Sequence, residues 1–228
     1  IDGQQHDIFR FGYHGLSVSS VMRRMHPILG HEYARVVVCH IGSGVSVTAV
    51  KEGQSIDTSM GYAPGSGLIM SSRCGDIDAG ALIALMRAKH LKSLDAETYL
   101  QTKGGLASLA GEVDLRHVLE RRARGDNKAR EAIDHFTYQI AKTVGSYAVA
   151  LGGLDLVLLT ATASERSSVI RGLLAQRLAC CGIELDHDNN ETLIARDGYI
   201  SAGHSSVKLA VIRTDEMGEM SRVAHQYV

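Results

Sequence analysis

The stretch of this chain richest in chemical possibility is His40-Ile41-Gly42-Ser43-Gly44. The stretch RVVVCH at 35–40, which reads as a buried strand, leads into a turn carrying two glycines. Without Cβ atoms in the way, backbone N–H groups in such a turn can converge on phosphate oxygens. On spacing alone, a plain hairpin turn between two strands accounts for the same residues. Arg73 lies in a glycine-rich stretch, MGYAPGSGLIMSSRCG at 60–75. Its guanidinium offers planar, paired donors to phosphate or carboxylate oxygens, and a solvated surface arginine would read the same way. His14 follows Gly12-Tyr13 and precedes Gly15, a setting open to a structural or a catalytic histidine. Glu216 follows the last apolar run. It suits Mg²⁺, directly or through water, or serves as a negative charge at a helix start. Asp114 suits a helix N-cap.

The elements that must position these groups alternate between helix and strand patterns, the mark of an α/β domain. Residues 17–29 are expected to be helical with Ser17 as N-cap. Strands are expected at 35–40, 46–50 and 55–59, joined by short glycine turns into an antiparallel meander. Helices are expected over 76–90, 95–101, 105–110 and 114–124. The clearest runs from about 126 to 151, with Ala129, Ile133, Phe136, Ile140, Val144, Tyr147 and Leu151 at spacings of three and four. Gly152-Gly153 stops it. LDLVLLT at 154–160 reads as a strand covered on both faces. A helix through Val169 to Leu178, a buried strand at 208–214 and a short helix at 216–225 complete the pattern.

Composition narrows the function classes. Lys plus Arg number 24 and Asp plus Glu 25, a net charge of −1, which argues against strong nucleic-acid or membrane-surface binding. No run of eighteen apolar residues is present, so no membrane span is expected. A length of 228 residues with 45% apolar content supports a full core and excludes wholesale disorder. The four cysteines show no zinc spacing, and adjacent Cys180 and Cys181 are poorly placed for a disulfide. A reducing, cytoplasmic setting is expected. The chain opens on Ile1 with no visible signal peptide, so a start trimmed by processing or truncation is expected.

Five segments carry a family likeness. FRFGYHGLS (9–17) resembles the RYGFHGTS segment of acetate kinases, and residues 38–68 resemble their CHLGNGSS…DTSMG…EGL signature. SSRCGDIDAG (71–80) resembles GTRxGDIDP, GGLDLVLLTATASE (152–165) resembles GGLDALVFTAGIGEN, and KLAVIRTDEM (208–217) resembles VLVIPTDEE. The chain is identified by these as similar to the acetate/propionate kinase family. The resemblance implies an α/β fold of the actin-like ATPase (ribonuclease H-like) type: a mixed sheet flanked by helices, with the N-terminal lobe missing. It implies a nucleotide-binding lobe over 1–215 and a tail helix over 216–228 that packs on that absent lobe.

The resemblance also assigns roles. His14 and Arg73 become the catalytic pair around the transferring phosphoryl, which needs mainly positioning and electrostatics. His40, Ile41, Gly42, Ser43 and Gly44 become a phosphate loop, with Ser43 where the family usually has Asn. Asp114, Leu115 and Arg116 match an adenosine-contacting stretch, with the cap reading of Asp114 equally open. Thr162, Ala163, Ser164, Glu165 and Arg166 become the second nucleotide loop, although Thr162 and Ser164 stand where the family has glycines. Glu216 becomes the Mg²⁺ ligand. The implied cofactors are ATP or ADP with Mg²⁺, and the implied substrate is acetate or propionate. A homodimer and a separate N-terminal lobe are expected partners; nucleic acid and membrane are not. Two functions compete: a carboxylate kinase, or a non-catalytic remnant or split subunit with nucleotide-binding or interaction capacity.

Overall fold

A computed structural model describes residues 3–226. Ile1, Asp2, Tyr227 and Val228 lie outside the described residues, and with them the last two positions of the expected 216–228 tail. Along the chain, a short 3₁₀ turn at Gly3–His6 precedes α1 (Gly15–Leu29), β1 (Arg35–Ile41), β2 (Val45–Lys51) and β3 (Gln54–Thr58). Then come α2 (Ala79–Ala88), α3 (Ser93–Thr102), α4 (Gly105–Ala110), α5 (Leu115–Ala123) and α6 (Asn127–Leu151). After these follow β4 (Leu156–Thr160), α7 (Thr162–Arg166), α8 (Ser168–Leu178), α9 (His187–Thr192), β5 (Gly198–Tyr199), β6 (Lys208–Val211) and α10 (Glu216–Ala224). The chain divides into two compact units. One comprises the residues up to Gly12 with Ser59–Gln139, the other Tyr13–Thr58 with the residues from Ile140 on.

The second unit holds a six-stranded mixed sheet in the order β3-β2-β1-β4-β6-β5. Strands β1, β4 and β6 run parallel, and β2, β3 and β5 join antiparallel. Helix α1 lays Val18, Val21 and Met25 on Val36, Val38, Leu156, Leu158, Ala210 and Ile212. The opposite alternation of the same strands, Val37, Cys39, Val157, Leu159, Leu209 and Val211, is also fully buried. The sheet is therefore covered on both faces, as the unbroken apolar runs require. Burying a side chain such as Val21 completely is worth about 1.5–3 kcal/mol.

Several elements differ from expectation for visible reasons. Helix α1 begins two residues early, at Gly15, and Ser17 is not its N-cap. His14 occupies the cap position in a left-handed conformation with no capping side-chain bond, because the Ser17 hydroxyl is engaged elsewhere, by His40 and Thr214. Strand β4 starts at Leu156 because Asp155 is drawn into a latch: its carboxylate accepts from the Arg35 backbone N–H at 2.9 Å and from the guanidinium. β6 stops at Val211, and the next residues peel off to side-chain acceptors, Arg213 N–H to Asp197 and Thr214 N–H to Glu165. The two-residue β5 and helix α9 carry no periodic signal and were not expected. The expected apolar positions of α6, from Ala129 to Leu151, are all buried.

The last helix is capped at its start and tied to α1. Asp215 accepts from the Gly218 N–H, and Glu219, 1% exposed, pairs with Arg23 of α1 and with Arg222. Met217 and Met220 remain exposed. Among the described residues no helix is long and apolar enough to cross a membrane.

Candidate functional site

The parallel strands of the second unit bring their carboxyl ends to one edge of the sheet, where ligands of open α/β folds characteristically bind. Three chain reversals gather there: the Gly42-Ser43-Gly44 turn after β1, the turn into α7 after β4, and the segment from Ile212 to Asp215 after β6. The first is a tight turn in which the Gly42 N–H donates to the Gly44 carbonyl at 3.0 Å. Ile41 is buried while Ser43 is exposed. A Cβ added at Gly42 would meet His40 Nε2 at 3.5 Å, Gly44 O at 3.6 Å and Ala161 Cβ at 3.7 Å. These are ordinary contacts, so neither packing nor a positive φ demands glycine there.

Beneath α1 a polar cluster joins these reversals. The His14 and His40 rings stack with centroids 3.9 Å apart. His14 Nδ1 lies 2.9 Å from Ser46 Oγ, and His40 Nδ1 lies 2.8 Å from Ser17 Oγ. Thr214 Oγ1 donates to Ser17 Oγ at 3.0 Å, and the Asp215 N–H donates to Ser20 Oγ. Burial, reinforced by the neighbouring His14, lowers the His40 pKa to about 3, so this imidazole is neutral at neutral pH. In register with His40 on β4, the buried Thr160 Oγ1 has no hydrogen-bond partner among the described residues. Glu216, half-buried, opens α10 at the end of the same segment.

The 162–166 loop is a helical turn that takes up the Ser164 side chain and leaves Thr162 exposed. Ser164 is fully buried, and its hydroxyl bonds the Thr160 and Ala161 carbonyls. Its own carbonyl accepts from the fully buried Arg171 at 2.9 Å, while Arg171 also binds Asn190 through Oδ1 and the backbone carbonyl. Glu165 Oε1 accepts from the Ala161 and Thr214 N–H groups, both at 2.9 Å, and so ties the β4 exit to the β6 exit. Ala161 adopts φ 70°, a strained value for a residue with a Cβ. Thr162 and Arg166 are exposed, and Ala163 is half-buried.

The other candidates sit in the first unit. The glycine-rich stretch folds onto itself and onto α3 and α4: Cys74 N–H donates to the Leu100 carbonyl and Leu106 N–H to the Met70 carbonyl. Gly105, at φ 58°, is obligatory, since a Cβ there would lie 2.0 Å from the Met70 carbonyl. Arg73 is half-buried, with Nη1 donating to the Pro64 carbonyl at 3.2 Å. Asp114 caps α5, accepting from the Arg116 N–H at 2.9 Å and from its guanidinium, and the Arg116 contacts hold its carboxyl well below the usual range. Leu115 is half-buried and Arg116 exposed. Ser17, Ser46, Thr160, Thr214 and Arg171 were missed by sequence reasoning. No local pattern marks them, because strand register and helix docking, not spacing, bring them to this edge.

The pattern of the Acetokinase family matches residues 3–222. The chain belongs to the acetokinase family. Among curated acetokinases, the acetate kinase of Micrococcus luteus is 38% identical over 227 residues, covering 96% of this chain and 58% of that protein. That of Carboxydothermus hydrogenoformans is 38% identical over 215 residues, covering 93% and 54%. Solved acetokinase structures superpose closely. Porphyromonas gingivalis acetate kinase gives a TM-score of 0.93 at 32% identity, covering 98% of this chain and 57% of that one. A Francisella tularensis propionate kinase gives 0.90 at 33%, covering 96% and 56%. The chain spans a little over half the length of these relatives. Its mixed sheet flanked by helices is the actin-like ATPase fold of the acetokinases.

Proposed function

We propose that this chain is the nucleotide- and phosphate-handling part of an acetate-kinase-type phosphotransferase. The reaction is reversible transfer of the ATP γ-phosphoryl to a short-chain carboxylate, acetate or propionate. The observation that carries this reading is the gathering of the Gly42–Gly44 turn, the 161–166 turn and the Thr214–Glu216 segment at the carboxyl edge of β1, β4 and β6, above the His14–His40 stack.

The residues present fit a nucleotide and a divalent ion. A Cβ at Gly42 would make only ordinary contacts, and the buried Thr160 hydroxyl beside His40 has no hydrogen-bond partner among the described residues. Mg²⁺ typically takes one or two carboxylates and completes its shell with phosphate oxygens and water. Glu216 supplies one carboxylate; Asp215 is occupied in capping α10. When bound, Mg²⁺ neutralises charge on the phosphate chain. His14 would offer a ring nitrogen to the phosphoryl, and Arg73 its guanidinium, by the family likeness. Asp114 to Arg116 and Thr162 to Arg166 are the adenosine-side candidates. Glu165 contributes by holding two strand exits together rather than by direct contact.

A second reading has its own support. The chain spans a little over half the length of its relatives, and by the family likeness Thr162 and Ser164 stand where the family has glycines. On that reading, residues 216–228 pack on a separate N-terminal lobe, to which the exposed Met217 and Met220 would contribute, and the chain alone binds nucleotide without turnover. Trapping acetyl phosphate as its hydroxamate separates the two. Formation by the 228-residue chain, lost in Arg73→Ala, is the outcome expected of a self-sufficient kinase. No formation, together with measurable Mg-ADP binding, identifies a split or remnant lobe. Neither turnover nor binding at millimolar nucleotide rejects both.

A further inference from the structure

The Ser17 hydroxyl is fully buried in the first turn of α1. A hydroxyl has one proton to give and lone pairs to receive. Thr214 Oγ1 donates to it at 3.0 Å. Its own proton then needs an acceptor, since a buried O–H left unpaired is costly. The acceptor in reach is His40 Nδ1, at 2.8 Å. A neutral imidazole that accepts at Nδ1 carries its proton on Nε2. Nε2 is the ring atom that faces the Gly42 turn, 3.5 Å from where a Gly42 Cβ would stand.

We infer that Ser17 and Thr214 are positioning residues that lock His40 in its Nε2–H tautomer, so that a neutral N–H donor faces a phosphate oxygen at the Gly42–Gly44 turn. The functional half rests on the reading of this edge as a phosphate site; the lock itself does not. The stakes lie in the sign of the interaction. With Nε2–H the ring donates to an anionic oxygen, and with Nδ1–H it would turn a lone pair toward it. The relay begins in a fixed segment, because Thr214 and Asp215 are held through their N–H groups by Glu165 and Ser20. Burial and the stacked His14 also suppress the doubly protonated ring, which would need no lock.

The test is ¹⁵N NMR of the histidine ring nitrogens in the 228-residue chain at neutral pH, with His40→Gln assigning the resonances. The expected result is the Nε2–H pattern for His40. Thr214→Val frees the Ser17 oxygen to accept instead of donate, and Ser17→Ala removes it; each should produce a mixture or the Nδ1–H form, and Thr214→Ser should restore the original pattern. An Nδ1–H pattern in the native chain overturns the lock, as does an unchanged pattern in both Thr214→Val and Ser17→Ala. Should one variant fail to fold, the native pattern and the other variant still decide. Inorganic tripolyphosphate, with and without Mg²⁺, is then titrated in. Movement of the His40 Nε2–H resonance, with affinity reduced about tenfold in Thr214→Val, is the magnitude expected for one misoriented hydrogen bond to a charged group. An intact lock with no tripolyphosphate response overturns the phosphate-site reading and leaves the tautomer assignment standing.

Discussion

At Gly42 the expected effect is on binding, and at His40 it is on stability. At Gly42 an alanine would make only ordinary contacts, from 3.5 to 3.7 Å. Gly42→Ala should therefore leave the urea midpoint unchanged while weakening Mg-ADP or tripolyphosphate binding by roughly tenfold or more, the order of a lost close backbone approach. Equal loss of stability and binding would show that the turn matters for folding alone. His40 links the cluster to pH. Its folded pKa, about 3, lies below the unfolded value of 6.5. Between those values the unfolded chain binds the extra proton, so stability falls as pH drops through that window and levels off above it. The cost across the window is on the order of a few kcal/mol. Urea unfolding at pH 7 and pH 5 should show the drop, and His40→Gln should flatten it.

Helix α8 holds the second reversal in place through a buried cation. Arg171 is fully buried with three acceptors: Ser164 O, Asn190 Oδ1 and Asn190 O. Its pKa is lowered by burial, and nearby Glu191 opposes that shift. Arg171→Met would fill much of the volume but orphan all three acceptors. A loss of about 3 kcal/mol is expected from urea unfolding, with a loosened α7 and weaker nucleotide binding. At the other end of the sheet, Asp155 clasps the start of β1 through Arg35, and that pairing lowers its carboxyl pKa. Both partners are partly exposed, so Asp155→Asn should cost only about 1 kcal/mol. The long helix α6 was legible beforehand because apolar periodicity over many turns leaves few alternatives, and the core strands because short apolar runs adjoin glycine turns. The ends were not: β6 is shortened by side-chain acceptors, Asp197 and Glu165, that no local pattern reveals.

The molecule comprises two compact units, with the phosphate-loop candidates in one and Arg73 and Asp114 in the other. The boundary falls inside α6, between Gln139 and Ile140. Mg-ADP titrated calorimetrically into the 228-residue chain should bind, and Glu216→Gln should weaken binding of Mg-ADP more than of free ADP if this carboxylate holds the ion. Equal effects on both would remove Glu216 from the metal site. Acetyl phosphate formation is the separate question, posed by a chain that covers a little over half of its relatives' length.

The sequence alone was enough for the family, the α/β class, the main helices and strands and the glycine turn after β1, since motif order and hydrophobic period are local properties of the chain. Tertiary structure alone decided what happens around them. It made Ser17 a junction between His40 and Thr214 instead of a helix cap, turned the Ser164 hydroxyl inward, and set Glu165 to clasping two strand exits. Each of those roles depends on a partner far along the chain, brought near by sheet register and by the docking of α1. A side chain's own type and its neighbours in sequence do not encode which distant acceptor will be there to meet it.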